Sequence, residues 1–237
     1  MRWGQVIVTV LPAVVLADVE VEGDSADGVE FDWEQDSKTK HVQYQKISAP
    51  DAVFVERFDE GWEDRWVLSE LEKFNGRWGN SFRQEELIIG DKGLEVLDKA
   101  RHHGISARIP AIGGDQGFVM QYEVKFQNGH ECGGAYLKAF KAPEEGLGVF
   151  SGDTPYVIMF GPDQCGHISQ VHFILNHQNP TNQKWTEHSV VHMVKPPVEA
   201  PDGPRTHLYT LHIMNDGEYE IYIDQESQGK FEEKKFI

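Results

Sequence analysis

Apolar and polar residues alternate along much of the chain, and residues 118–126 show this alternation most clearly. Every second position in that stretch is apolar or aromatic: Phe118, Met120, Tyr122, Val124 and Phe126. Successive side chains of a β-strand point to opposite faces of its sheet, so this spacing places five large side chains on one face. The stretch is therefore predicted to be a strand with one buried face.

Shorter runs of the same kind follow one another from about residue 52 to residue 224. They cover residues 53–58, 87–89, 94–97, 105–109, 136–140, 155–160, 171–175, 208–214 and 219–224. Turn residues separate the runs, and Asn215-Asp216-Gly217 is the clearest hairpin signal. No segment of useful length has helical periodicity, and the four prolines of residues 195–204 indicate a surface loop. This pattern predicts an all-β chain folded as an antiparallel sandwich.

The amino-terminal residues have the layout of a secretory signal. Arg2 supplies a positive charge, an apolar core runs from Val6 to Leu16, and Ala17 ends it with a small residue. This core is too short to span a bilayer, and no later stretch is long and apolar enough. Residues 1–17 are therefore predicted to be a signal peptide. Residues 18–50, acidic and poor in apolar side chains, are predicted to be a disordered leader.

The charge of the chain narrows the choice of partners. The 237 residues carry a formal charge of −17, and residues 18–36 contain nine acids with neither Lys nor Arg. Nucleic acids need a basic face, so they are excluded as partners. Calcium or a neutral polar ligand fits this composition better.

Cys132 and Cys165 are the only two cysteines, and each lies at one edge of a strand-like run that carries a tyrosine. The oxidising compartment that a signal peptide implies favours a disulfide between them. Two buried free thiols are the alternative. Neither cysteine belongs to a C-x-x-C motif, so a redox enzyme is not indicated.

A candidate ligand-binding group lies on and after these cysteine-bearing runs. Tyrosine rings stack on sugar C–H groups while their hydroxyls form hydrogen bonds, and ammonium and carboxylate groups donate to and accept from sugar hydroxyls. Two-residue spacing puts the first two members on the same strand face. The group consists of Tyr136, Lys138, Tyr156, Met159 and Glu187. On composition alone, an ordinary solvent-facing sheet surface is the commoner explanation of such residues.

Two acidic features indicate other chemistry. Asp91-Lys92-Gly93 lies in a tight turn that offers oxygens to calcium, although calcium needs six to eight and an ordinary turn is the simpler explanation. The second feature is an alternating acidic series in which two carboxylates about 5–5.5 Å apart would suit a retaining glycosidase. Its members are Glu218, Glu220, Asp224 and Glu226. Tyr222 interrupts the series, and an acidic outer face explains it without catalysis.

Seven motifs occur in a fixed order between about residues 50 and 225. They are FDEGW at 58–62, GDKGL at 90–94, RHHGISA at 101–107, QYEVKFQNG at 121–129, ECGGAY at 131–136, YVIMFGPD at 156–163 and HLYTL at 207–211. In these motifs the chain resembles the calnexin/calreticulin family of endoplasmic-reticulum lectin chaperones, and its calnexin and calmegin members in particular.

The resemblance implies a concanavalin-like β-sandwich of the jelly-roll type that binds the terminal glucose of a monoglucosylated high-mannose glycan. It implies sugar contacts by the five residues of the candidate group, Tyr136, Lys138, Tyr156, Met159 and Glu187. It also implies a Cys132–Cys165 disulfide, and a structural calcium ion held partly by Asp91, with carbonyls at Arg57 and Lys92. The implied function is a non-enzymatic, calcium-dependent chaperone of the endoplasmic-reticulum lumen. Its partners would be monoglucosylated glycoproteins and unfolded polypeptides.

The resemblance is expected to end near residue 226. Residues 51–226 correspond to the lectin domain, and residues 227–237 read as a divergent tail, so the sandwich is expected to be incomplete at its C-terminus. In the family, an isomerase-recruiting proline-rich arm follows, and a returning strand then completes the domain. The arm and the returning strand are expected to be absent, as are a calcium-binding aspartate, a sugar-contacting carboxylate, a membrane span and a retrieval signal. The loss of a core strand and of one calcium carboxylate predicts low stability and weak glycan affinity. The alternative function is calcium binding or buffering without useful sugar binding.

Overall fold

The computed structural model describes residues 6–9, 42–46, 52–82, 88–110, 117–141, 146–179, 181–189, 194–198 and 205–232. The strands are β1 (Val6–Thr9), β2 (Val42–Gln43), β3 (Val67–Leu68), β4 (Trp78–Phe82), β5 (Ile88–Ile89), β6 (Lys92–Val96), β7 (Ile105–Ser106), β8 (Phe118–Phe126), β9 (Cys132–Gly134), β10 (Leu137–Ala139), β11 (Ile158–Cys165), β12 (Ile168–Gln178), β13 (Trp185–Ser189), β14 (Thr206–Ile213), β15 (Glu218–Ile223) and β16 (Glu226–Glu232). Short 3-10 helices span Trp62–Asp64, Glu72–Phe74 and Leu147–Val149. Within the described ranges, no helix has the length and apolar character needed to cross a bilayer.

The first sheet contains seven antiparallel strands in the order β16-β15-β14-β8-β1-β6-β4. Its longest ladder pairs β14 with β8, from Thr206 opposite Lys125 to Ile213 opposite Phe118. β1 lies inside the predicted signal peptide and takes an interior position, between β6 and β8. Removal of that segment stays a prediction. Most of the predicted leader lies outside the described residues, but β2 within it pairs in parallel with β5.

The second sheet is also antiparallel and carries β10, β11, β12 and β13 in that order, with β9 paired to β11 as well. β11 and β12 form its central ladder, from Ile158 opposite Leu175 to Cys165 opposite Ile168. A separate two-stranded ribbon of β3 and β7 lies outside both sheets. The second sheet therefore has two central strands that hold the shorter ones in place.

The two sheets share one apolar core. Tyr122 from β8, Phe160 from β11 and Phe173 from β12 are each at most 3% exposed in it. The Tyr122 hydroxyl donates a hydrogen bond to the Ala135 carbonyl at 2.7 Å, which satisfies this buried polar group and connects the sheets. Gly161 has a φ of 147°, and a Cβ there would lie 2.1 Å from the same hydroxyl, so glycine is required. The predicted antiparallel β-sandwich is confirmed.

A second, smaller apolar cluster is separate from the shared core and consists of Phe58, Trp62 and Leu94, the last of these on β6. Next to it, the Glu56 carboxylate is buried and accepts hydrogen bonds from Nε and Nη2 of Arg65, each at 2.7 Å. Trp66 Nε1 donates to it at 2.9 Å, and the Phe58 backbone N–H at 2.6 Å. A charge taken out of water needs such partners, and here they fix the segment around residues 56–66.

Two elements show where the sequence patterns were and were not sufficient. The hairpin predicted at residues 215–217 joins β14 to β15, with Gly217 at a φ of 87° and Met214 N–H donating to the Glu218 carbonyl at 2.8 Å. β16 was not predicted, because its sequence ESQGKFE is mostly polar. It forms through antiparallel pairing with β15.

The acidic series that suggested a glycosidase does not continue along one strand. Asp224 and Gln225 both have positive φ, at 52° and 68°, and form the tight turn between β15 and β16. Glu226 therefore belongs to the next strand, and Glu218 forms an ion pair with Lys230. The prediction of four carboxylates in a row on one strand is therefore wrong. Glu218 and Glu220 lie on β15, Asp224 lies in the turn, and Glu226 lies on β16.

Candidate functional site

The candidate sugar-binding residues meet on the face of the second sheet that points away from the shared core. Leu137 and Ala139 pack against that core, so Lys138 between them points to the opposite face. Met159 lies directly opposite Lys138 in the β10–β11 pair. Glu187 reaches the same area from β13, on the far side of β12. Strand pairing thus gathers side chains that are distant in sequence.

Tyr156, just before β11, connects two charged members of this group. Its hydroxyl donates a hydrogen bond to Oε1 of Glu187 at 2.7 Å, and the Lys138 ammonium lies 4.7 Å from the centre of its ring. Tyr156 is 8% exposed, whereas Lys138 and Glu187 are exposed. A buried, fixed ring therefore holds an accessible donor and an accessible acceptor in one place.

The protonation states follow from these contacts. Burial and the hydrogen bond to Glu187 raise the pKa of Tyr156 to about 12, so the phenol remains a donor at physiological pH. Burial lowers the pKa of Lys138, and the neighbouring Glu187 carboxylate partly offsets this effect by favouring the ammonium form. The site offers a neutral phenol beside an amine and a carboxylate.

Tyr136, between β9 and β10, has neighbours of its own. Its pKa is raised by burial and by a hydrogen bond to Asp163. Nε2 of His172 lies 3.2 Å from Oδ2 of Asp163, and the His172 and Tyr136 rings meet edge-on with centroids 5.8 Å apart. A Cβ at Gly134 would lie 2.0–2.2 Å from Tyr136 side-chain atoms. Glycine at this position therefore leaves the space that the ring occupies.

Cys132 on β9 and Cys165 on β11 form the expected disulfide. The two residues are directly opposite in the antiparallel pair, with 4.1 Å between their Cα atoms. The bond attaches the short strand β9 to the central strand β11, and Tyr136 follows β9 immediately. It thereby limits the movement of the backbone that carries this tyrosine.

Three side chains at this face were not predicted. Asp163 and His172 hold Tyr136, and Asn176 lies opposite Glu187 on β12. Asn176 is 7% exposed, and its Oδ1 has no hydrogen-bond partner in the part of the chain that the structure describes. Asp163 could have been predicted from the sequence, because it lies four residues after Met159 and therefore on the same face of the strand. The other two depend on strand register, which the sequence did not specify.

The residues expected to hold calcium lie at another corner, around the turn between β5 and β6. Asp91 lies in this turn, and its backbone N–H donates a hydrogen bond to the Ile88 carbonyl at 3.2 Å. Arg57 and Asp91 both act electrostatically on Tyr44, whose pKa is raised mainly by burial. The ammonium of Lys92 lies 5.0 Å from the Phe82 ring centre. The structure thus brings Arg57 and Asp91 into one neighbourhood.

The oxygen atoms at this corner are partly engaged. Asp59, which also acts on Tyr44, accepts hydrogen bonds from Lys46 at 2.8 Å and from Arg65 at 3.1 Å. Among the described residues, no group of three or more His, Cys, Asp or Glu side chains is placed to hold a metal ion. Calcium requires six to eight oxygens, so an ion at this corner would depend on backbone carbonyls and other oxygens in addition to the Asp91 carboxylate.

Comparison with known proteins gives one family. The sequence model of the Calreticulin family matches residues 54–235. A calnexin homolog of Helianthus tuberosus is 43% identical over 190 residues, which cover 78% of this chain and 34% of that protein. Calnexin of Caenorhabditis briggsae is 42% identical over 164 residues, which cover 68% of this chain and 26% of that protein. Calmegin of Bos taurus is 37% identical over 232 residues, which cover 89% of this chain and 38% of that protein. The chain spans about a third of the length of these relatives.

A solved structure supports the same fold. The globular domain of T. cruzi calreticulin aligns with a TM-score of 0.59 at 30% identity, over 71% of this chain and 61% of that one. That domain is a concanavalin-like β-sandwich, so the predicted fold class is confirmed. The family match also extends to residue 235 and therefore includes β16.

Proposed function

Because the chain belongs to the calreticulin family, we propose that Tyr156, Lys138 and Glu187 bind the terminal glucose of a monoglucosylated N-linked glycan. The observation that carries the proposal is the contact of these three groups, with the phenol hydroxyl on the carboxylate and the ammonium over the same ring. Glucose presents hydroxyls and C–H faces. Its recognition needs donors, acceptors and aromatic surface close together, which this face supplies.

Each side chain has a distinct part in this proposal. Lys138 donates to sugar hydroxyls, Glu187 accepts from them, and Tyr156 keeps the Glu187 carboxylate in place through its hydrogen bond. Tyr136 and Met159 add apolar contact surface, and Asp163 keeps the Tyr136 ring in position. No bond of the ligand is broken, so binding is reversible and the protein acts by holding its ligand.

The wider role proposed here is that of a lectin chaperone in the lumen of the endoplasmic reticulum. Its partners would be folding glycoproteins that carry the monoglucosylated glycan, and unfolded polypeptides. Support comes from membership of the family and from a disulfide of the kind that an oxidising compartment maintains. The chain covers about a third of its relatives, so these roles are proposed for the part of the protein that carries the lectin face.

Calcium is proposed as a weakly held structural ion at the corner of Asp91, away from the sugar face. Its ligands would be the Asp91 carboxylate and the carbonyls of Arg57 and Lys92, together with the further oxygens that calcium needs to reach six to eight. The charge of −17 favours a second candidate function, in which the chain binds or buffers calcium without useful sugar affinity. These two functions give different results with sugar ligands.

A panel of immobilised glycans tests the proposal. The wild type should be retained by monoglucosylated oligomannose and not by its unglucosylated form. Lys138→Met should reduce retention about tenfold, because a charged hydrogen bond to a sugar hydroxyl is lost. Lys99→Met, at an exposed lysine outside the site, is the matched control and should bind like the wild type. Equal retention of all glycans, or of the wild type and Lys138→Met, would contradict sugar recognition at this face.

A further inference from the structure

Asn176 carries a buried amide on the sheet face that holds the candidate sugar-binding residues. Leu175, the preceding residue of β12, packs against the shared core, so the Asn176 side chain points to the opposite face. Asn176 is 7% exposed, and its Oδ1 has no hydrogen-bond partner among the residues that the structure describes. A buried polar atom that lacks a partner lowers stability, so its presence calls for an explanation.

The neighbours of Asn176 place it at the floor of the candidate site. It lies directly opposite Glu187 on β13, and on its other side its backbone N–H donates to the Val157 carbonyl at 2.8 Å. Val157 is 39% exposed and Glu187 is exposed as well, whereas Asn176 between them is buried. A buried residue between two exposed neighbours lies in a depression of the surface.

The Asn176 amide is close enough to Glu187 for both to contact one sugar ring. Directly opposite residues of antiparallel strands have Cβ atoms about 4.5–5.5 Å apart. Glucose carries hydroxyls on adjacent carbons, so one hydroxyl can donate to the Glu187 carboxylate while its neighbour donates to Oδ1 of Asn176. The terminal torsion of asparagine is soft, which allows the amide to turn its oxygen toward such a hydroxyl.

Asn80 shows how this fold treats an amide that has a structural role. Its Nδ2 donates a hydrogen bond to the Phe58 carbonyl at 2.6 Å, so the group is satisfied within the protein. The Oδ1 of Asn176 makes no such bond with the described residues. An apolar side chain of similar size would avoid the cost of an unpaired buried group, so fold stability does not explain an amide at position 176.

We propose that Asn176 is a specificity-determining residue of the sugar face and that its amide accepts a hydrogen bond from a hydroxyl of the terminal glucose. This inference rests on the proposed function and adds a contact to it. A ligand that lacks this hydroxyl, or carries it in the other configuration, leaves the buried amide unpaired. Sites built to bond a hydroxyl reject such ligands strongly for this reason.

The test compares Asn176→Leu with Asn80→Leu in calorimetric titrations with monoglucosylated oligomannose and in thermal unfolding. Asn176→Leu should bind the glycan at least about tenfold more weakly, while its melting temperature equals or exceeds that of the wild type, because an unpaired buried amide is removed. Asn80→Leu is the matched control. It should lower the melting temperature, because the Phe58 carbonyl loses its donor, and leave the glycan affinity of the folded chain unchanged.

Ligands that lack single hydroxyls of the terminal glucose identify the contact. The wild type should bind one of these deoxy ligands at least about tenfold more weakly than the parent glycan, and Asn176→Leu should bind that ligand and the parent equally. Equal glycan affinity of the wild type and Asn176→Leu would overturn the role of Asn176 alone. So would a loss of affinity accompanied by a lower melting temperature, or unchanged discrimination by Asn176→Leu against every deoxy ligand. A folded wild type that binds no glucosylated ligand would overturn the proposed function as well.

Discussion

Tyr156 is the residue on which the proposed sugar face most depends, because it contacts both charged groups of the candidate site. Tyr156→Phe removes the hydroxyl that donates to Glu187 at 2.7 Å and keeps the ring beneath Lys138. We expect the affinity for monoglucosylated oligomannose to fall about tenfold in a calorimetric titration, since one hydrogen bond that positions the carboxylate is lost.

Tyr222→Phe is the matched control for this change. Tyr222 also donates a side-chain hydrogen bond to a glutamate, Glu220, but on the first sheet. Its loss should leave glycan affinity unchanged. If both substitutions weaken glycan binding equally, the effect comes from general stability and the assignment of Tyr156 to the site is wrong.

Glu56 gives a prediction about stability and pH. Burial raises the pKa of Glu56, but hydrogen bonds from Arg65, the Phe58 amide and Trp66 outweigh burial and lower the pKa below its ordinary value of 4.5. The stabilisation is therefore fully present above the unfolded-state pKa and is lost as the pH falls through the folded-state pKa.

Glu56→Gln should lower the free energy of unfolding at pH 7 by about 2–4 kcal/mol, because Arg65 loses its buried charged partner and keeps only the more exposed Asp59. The difference from the wild type should shrink as the pH is lowered through the acidic range below 4.5, in urea unfolding measured at several pH values. A difference that stays constant down to acid denaturation would show that the charge of Glu56 is not what stabilises this segment.

At the level of single residues, the sequence could suggest part of the candidate site, whose role in sugar binding stays a prediction. Tyr136, Lys138, Tyr156, Met159 and Glu187 could be proposed because they stand within recognisable motifs or at matching positions. The roles of His172 and Asn176 could not, because each depends on which residue lies across the sheet from it. Pairing register is a property of the assembled sheet, and a shift of one residue would place these side chains on the other face.

At the level of elements, the β9–β10 segment shows how a glycine controls the position of the Tyr136 ring, which is proposed to contact the ligand. A Cβ at Gly134 would lie 2.0–2.2 Å from side-chain atoms of Tyr136, closer than any real contact allows. Gly134→Ala should therefore displace the tyrosine and lower glycan affinity about tenfold or more, with only a modest loss of stability at this partly exposed strand.

Gly152→Ala serves as the control for Gly134→Ala. At Gly152 the nearest atom to an added Cβ is a Phe74 ring carbon at 3.4 Å, an ordinary contact. Affinity and melting temperature of this variant should match the wild type. Retention of full glycan affinity by Gly134→Ala would mean that the position of the Tyr136 ring does not matter for binding.

The elements themselves were predictable where their side chains alternate. β8 follows from the spacing of its large residues, and the hairpin between β14 and β15 from its turn sequence. β16 was missed because its residues are mostly polar, and its existence depends on pairing with β15. Local pattern identifies strands that bury one face, whereas edge strands are specified by their neighbours.

At the level of the whole molecule, the acidic charge is expected to give only weak calcium binding. The described residues lack a group of acids placed for a metal, and Asp59 is already engaged by Lys46 and Arg65. We expect 1 mM calcium to raise the melting temperature by less than about 2 °C relative to a chelator, as for an ion bound no more tightly than millimolar.

Asp91→Ala should reduce this small calcium effect further without changing the melting temperature in chelator by more than about 2 °C, because Asp91 is at a partly exposed turn. A calcium shift of several degrees in the wild type that disappears in Asp91→Ala would contradict the weak site. It would show that Asp91 belongs to a strong calcium site.

The fold class of the molecule could be predicted from the sequence, but the order of the strands in its sheets could not. Short alternating strands with hairpin turns indicated an antiparallel sandwich, which the two sheets and their shared core confirm. The interior position of β1 was not foreseen, because an apolar run of this length is typical of a signal peptide when considered locally. The position of β1 becomes apparent only from its pairing with β6 on one side and β8 on the other.

The central claim is that the face around Tyr156, Lys138 and Glu187 recognises a terminal glucose. Calorimetric titration of the wild-type chain with monoglucosylated oligomannose, and with the same oligosaccharide lacking the glucose, tests it most directly. The account predicts saturable binding of the glucosylated ligand with a stoichiometry of about one, and at least about tenfold weaker binding of the other, because the hydrogen bonds of the glucose are absent. Equal heats from the two ligands, or no binding of either by a folded chain, would contradict it.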